Sequence, residues 1–122
     1  AHQGWQLRIR LIMSDDRLPT HIWVMAQVRQ CFIDGIPAYV LHTGEASGGA
    51  VLLKINHYEK GCRVLSQMRD LDGKLIWYAA HDEEFITETD ADLYIERAVG
   101  RDPDLWVVEV ETKDGGHPFE ET

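Results

Sequence analysis

Residues 50–80, AVLLKINHYEKGCRVLSQMRDLDGKLIWYAA, decide the fold class. Three runs rich in β-branched, aliphatic and aromatic residues, Ala50 to Tyr58, Cys62 to Asp70 and Lys74 to Ala80, are separated by Lys60-Gly61 and Asp72-Gly73. Short apolar runs broken by glycine-bearing dipeptides are the signature of successive hairpins. Read as two-residue turns, the dipeptides put Val51, Leu53, Ile55 and His57 on one face with Val64, Met68, Leu75, Trp77 and Ala79. That shared face predicts an antiparallel meander.

Outward from this core, Ala38 to Thr43 reads as a further strand. It is joined to the meander by Gly44-Glu45-Ala46-Ser47-Gly48-Gly49, which has the composition of a mobile hairpin loop and lacks the Gly-Lys-Ser/Thr ending of a phosphate loop. A first helix is expected from Pro19, with Thr20 as N-cap, to a stop at Gly35. Its helical projection puts Ile22, Val24, Met25, Val28, Phe32 and Ile33 on an apolar arc that includes Arg29, with Trp23, Gln27 and Gln30 opposite. A second helix is expected over Asp90 to Val99, capped by Thr89 and ended by Gly100, with Ala91, Tyr94, Ile95 and Ala98 inward. Pro103 then launches a last strand, Asp104 to Thr112. The expected fold is α+β: an antiparallel meander of about five strands with two helices, in the order α-β-β-β-β-α-β. Leu7, Ile9 and Leu11 alternate with Arg8 and Arg10, so residues 1–12 read as a strand-like extension upstream of Met13, pairing with a sheet edge in this subunit or another, and residues 13–122 read as a single domain.

The chain has 122 residues, enough for one core, with 44% hydrophobic and 27% charged residues. Its net charge of -9 argues against nucleic-acid binding, which needs a basic face. That charge is lopsided: residues 1–80 hold 9 basic and 7 acidic side chains, residues 81–122 hold 3 and 14. No apolar run approaches the roughly 20 residues of a membrane span, and no secretory signal is legible. Cys31 and Cys62 could pair, but buried free thiols in a reducing cytoplasm are the simpler expectation.

The run Arg101-Asp102-Pro103-Asp104-Leu105-Trp106-Val107-Val108-Glu109-Val110-Glu111, with His21-Ile22-Trp23-Val24-Met25-Ala26 and Gly49-Ala50-Val51-Leu52-Leu53-Lys54-Ile55-Asn56, resembles an uncharacterised bacterial family, domain of unknown function 1491. The resemblance spans about Pro19 to His117 and implies a compact α+β fold and an intracellular location. It implies no activity.

Six residues stand out as a candidate functional surface: Trp23, Arg29, Asp102, Asp104, Glu109 and Glu111. Pro103-Asp104 with Glu111-Thr112-Lys113 imitates a metal-dependent nuclease motif. Both halves lie on one strand, however, roughly 23 Å apart and on opposite faces. Glu109 and Glu111 share a face about 7 Å apart, near enough to hold a cation or act as acid and base. Arg29 either snorkels to water or pairs with a buried carboxylate, one of these glutamates being a candidate. Trp23, on the polar side of its helix, either marks a partner surface or is covered by residues 1–12. The six histidines and two cysteines have no metal-ligand spacing. No cofactor and no complete catalytic constellation is expected. The leading reading is a non-catalytic binding module, homo-oligomeric or with a protein partner, and not a membrane protein. The alternative is a small enzyme whose acidic site, with or without a divalent metal, is built from the last strand and Arg29.

Overall fold

The computed structural model describes residues 19–69, 71–72 and 75–113. The strand-like extension, the Met13 start, Gly73 of the second turn and the Asp114-Gly115-Gly116 turn fall outside the described residues. The elements follow as α1 (Thr20–Ile33), β1 (Ala38–His42), β2 (Val51–Asn56), a 3-10 turn (Tyr58–Lys60), β3 (Cys62–Arg69), β4 (Leu75–Ala79), α2 (Glu88–Arg101) and β5 (Trp106–Glu111).

The five strands form one mixed sheet in the order β1-β5-β2-β3-β4. The run β2-β3-β4 is antiparallel as expected. The last strand overturns the simple meander, because β5 inserts between β1 and β2, parallel to β2 and antiparallel to β1. Local turn signals carry no information about where a strand returning from a helix will dock. The two apolar faces of Val107, Val108 and Val110 need cover on both sides, which a central slot supplies.

Register also differs from the two-residue-turn reading. Asn56 faces Cys62 and Arg69 faces Leu75, so each connection holds five residues. At the first, Asn56 Oδ1 accepts the Tyr58 N–H (2.8 Å) and the His57 N–H bonds Gly61 O (2.8 Å). Tyr58 and Gly61 take positive φ of 59° and 108°. The pairing is displaced by three residues at the first connection and by one at the second, and any odd displacement reverses the face of the next strand. Val64 therefore turns away from Leu53, while two reversals cancel and return Trp77 to the side of Leu53.

Each face of the sheet carries one helix. Under α1 lie Val51, Leu53, Ile55, Leu65, Trp106, Val108 and Val110. Under α2 lie Leu52, Cys62, Val64 and Val107, met by Ala91 and Ala98. Cys31 belongs to the first cluster and Cys62 to the second, so the sheet separates the two free thiols.

The face of α1 is turned away from the sequence projection, of which Val24 and Val28 do face the core. Trp23, Val24, Gln27, Gln30 and Cys31 are buried, while Ile22, Met25, Phe32 and Ile33 are exposed. Apolar residues occur all round this helix, so periodicity alone is ambiguous. Trp23 resolves it by packing on Trp77, ring centroids 6.4 Å apart, and the Gln30 amide bonds the Asp34 carboxylate at 3.2 Å. The N-cap is Pro19 rather than Thr20. In α2, Thr87 rather than Thr89 accepts the Asp90 N–H, and the helix runs through Gly100 to Arg101.

The loop expected to be mobile is instead pinned. It arches over the start of β5, where Glu45 N–H bonds Asp104 O (2.9 Å), Trp106 Nε1 donates to Glu45 O (2.8 Å) and His42 Nδ1 lies 2.6 Å from Leu105 O. Glu45 Oε2 accepts from the Ser47 and Gly48 N–H groups, tightening the bend.

Candidate functional site

Lys54 sits in the middle of β2, the centre of the sheet, and is buried. Its ammonium is held 2.7 Å from Asp92 Oδ1, 2.9 Å from Glu88 Oε2 and 3.6 Å from Glu109 Oε1. Register explains the meeting: Lys54 pairs with Glu109 across β2 and β5, and Glu88 and Asp92, four apart on α2, point down from the helix's first turns. Asn56 Nδ2 donates to Glu109 Oε2 (3.3 Å) and reaches Glu88 Oε2 (3.4 Å). Beyond Asn56, Tyr58 directs its hydroxyl at Glu111 Oε1, 3.5 Å away, and Lys113 Nζ lies 6.0 Å from the Tyr58 ring centroid.

Burial works to lower the Lys54 pKa. The hydrogen bonds to Asp92 and Glu88, with the Glu109 charge, outweigh it and push the ammonium above the usual lysine range. It is therefore a fixed cation, not a proton shuttle. Tyr58 is also raised, by the desolvation its neighbours impose and by Glu111. Burial, with the Asp34 charge adding, pushes the Cys31 thiol up to about 12, and burial likewise raises Cys62. Neither thiol has the thiolate character of a nucleophile.

These raised values set an alkaline limit on stability. Between about 9 and 12 the folded chain keeps the Cys31 proton that the unfolded chain loses. Stability is then complete below that window and falls as pH rises through it, with Lys54 extending the loss upward. Urea midpoints at about pH 7 and about pH 10 should differ, and Cys31→Ala should flatten the first part of the fall; equal midpoints in the parent chain exclude this account.

The six sequence candidates do not converge. Arg29 is exposed on α1, while Glu109 and Glu111 lie on the α2 side, so the sheet stands between Arg29 and the glutamates it was expected to reach. Trp23 is 7% exposed and belongs to the core, not to a polar surface. Asp102 and Asp104 form the turn before β5: Asp102 Oδ1 accepts the Asp104 N–H at 3.1 Å, and both side chains are exposed. Only Glu109 and Glu111 come together, linked through Asn56 and Tyr58. Lys54, Glu88 and Asp92 escaped the sequence reading. Their signal was a lysine inside an otherwise apolar strand, which requires an anionic partner when buried. Among the described residues, no three His, Cys, Asp or Glu side chains are placed to hold a metal.

A cleft of about 590 Å³ opens beside the turn, lined by Lys60, Arg63 and Lys113 against Asp82, Glu83 and Glu84. Its charges balance. His81 within it is committed at both ring nitrogens, Nε2 accepting from Val64 N–H (3.1 Å) and Nδ1 therefore donating to Glu83 O (2.8 Å).

The Asp-Pro-Asp-Leu-Trp run is thus a structural latch, closing the β1–β2 loop over β5. The family model described as "Protein of unknown function (DUF1491)" matches residues 18–120. The chain belongs to the DUF1491 family. A crystal structure of a DUF1491 protein from Caulobacter crescentus CB15 is 41% identical, with a TM-score of 0.75 over 85% of this chain and 96% of that one. An NMR structure of a DUF1491 protein from the same strain is also 41% identical, with a TM-score of 0.68 over 80% of this chain and 87% of that one. The solution structure of protein Atu0922 from A. tumefaciens, 22% identical over 84% of this chain and 92% of that one, shares the fold with a TM-score of 0.69. A search of curated proteins found no match. Among the described residues of this DUF1491 chain, no helix is long and apolar enough to cross a membrane.

Proposed function

We propose that this DUF1491 chain is a non-catalytic interaction module that self-associates through the outward face of α1. The observation that carries the reading is the stripe of Ile22, Met25, Phe32 and Ile33, exposed by 45, 49, 85 and 57%. Arg29, the only fully charged side chain of the helix, lies in the same arc, where its aliphatic stem can pack in the contact while its head reaches water. Four large apolar side chains exposed on one helix face form a contiguous patch of the kind that is often functional surface. The two unpaired, buried thiols fit a reducing compartment such as the cytoplasm. The fixed Lys54 network and the separation of Arg29 from the glutamates argue against the enzymatic alternative.

Sedimentation velocity over a concentration series tests this. The parent chain should show a monomer–dimer equilibrium, and Phe32→Glu and Met25→Glu should each weaken it at least about tenfold without changing the far-UV spectrum. A monomer at every concentration, or association indifferent to both substitutions, overturns the proposal.

A further inference from the structure

One half-face of the sheet is covered by neither helix. Tyr39 pairs with Glu109 across β1 and β5, and Glu109 meets Lys54 below α2, so Tyr39 points to the α2 side. On that side α2 packs on β2 and β3. Among the described residues the face over β1 stays open, with Tyr39 49% exposed and Leu41, at the bulge beside it, 47% exposed. Tyr58, 45% exposed, stands at the rim with its hydroxyl toward Glu111, and is within electrostatic reach of Tyr39.

The chemistry of this surface is aromatic and anionic. Glu88, Asp92 and Glu109 face a single buried ammonium, Lys54, and Glu111 lies beyond them beside the Tyr58 hydroxyl, leaving negative charge in excess. One ring of the pair already has a cation over it: Lys113 Nζ stands 6.0 Å from the Tyr58 centroid, at the limit of cation–π range. Beside it, β1 is the outermost strand among the described residues, and an outermost strand presents a row of unpaired backbone groups to another chain.

We propose that this half-face and the β1 edge together bind an extended, cationic segment of a partner protein. The segment adds as a strand alongside β1, which supplies main-chain hydrogen bonds. In a strand, every second side chain falls on one face. Arginine or lysine at that spacing therefore lands on the Tyr39 side, where a guanidinium can stack on Tyr39 and pair with Glu111. An acidic segment meets the carboxylates and is repelled, and nucleic acid is repelled for the same reason. This surface lies across the sheet from the α1 stripe and does not depend on self-association.

The test is an amide-shift titration of the full chain with an acetylated, amidated arginine–valine hexapeptide of alternating sequence, and with its glutamate–valine twin. The arginine peptide should move the amides of Ala38 to His42 and those around Tyr58 and Glu111. Tyr39→Ala and Glu111→Gln should each weaken binding at least about fivefold, as should raising the salt from about 50 to about 300 mM. Equal binding of both peptides, shifts confined elsewhere, or no binding at about 1 mM overturns the proposal. So does binding that appears only after Arg8→Glu and Arg10→Glu, because the chain's own basic segment is then the occupant.

Discussion

Gly44→Ala is expected to lower the stability of the chain by about 3 kcal/mol, and Gly49→Ala by a similar amount. A Cβ at either position would overlap the Asp104 carbonyl oxygen, and at Gly49 it would also press on Trp106 Cδ1, 3.0 Å away. These neighbours are backbone and a buried indole, so relief requires lifting the β1–β2 loop off β5. That movement breaks the Glu45 N–H to Asp104 O and Trp106 Nε1 to Glu45 O bonds together. For a chain of this size, a loss of about 3 kcal/mol is a fall in Tm of roughly 10 °C. Gly100→Ala is the internal control: nothing lies within 4 Å of the place its methyl group would take, and it sits inside α2, so alanine should stabilise by up to about 1 kcal/mol. Melting curves for the three variants decide the matter. If Gly44→Ala melts with the parent chain, the latch is not a structural requirement.

Lys54→Met carries the second large effect, a destabilisation of about 2–4 kcal/mol. The substitution leaves Glu109, whose side chain is only 11% exposed, with a charge that, among the described side chains, Asn56 is left to satisfy. Glu88 and Asp92 are more than half exposed and recover much of their hydration, which keeps the loss below that of a fully buried triad. Adding Glu109→Gln to Lys54→Met should restore at least about 1 kcal/mol relative to the sum of the single changes. Additive denaturation midpoints in this cycle would show that Lys54 and Glu109 are not coupled.

How much of this was readable beforehand differs from element to element. Every strand of the sheet has its apolar run in the sequence, because burying a pleated surface demands it locally. The family was legible in Asp102-Pro103-Asp104-Leu105-Trp106, though the purpose of that run was not, since its partners Gly44 to Gly49 lie some sixty residues away. The candidate site was less legible still. Glu109 and Glu111 were identified as a pair, but the cation beside them, Lys54, comes from another strand, and its other anions come from α2.

By itself, then, the sequence determined two helices, five strands, the antiparallel run from β2 to β4 and the family. Each depends on short-range pattern: apolar runs of helix or strand length, set apart by glycine- and proline-bearing turns. Only the tertiary structure decided that β5 slides between β1 and β2, that α1 turns Trp23 inward and leaves Phe32 outside, and that Lys54 meets three carboxylates. Those choices compare the burial of whole faces and the pairing of distant charges. Such free energies exist only once the sheet has formed.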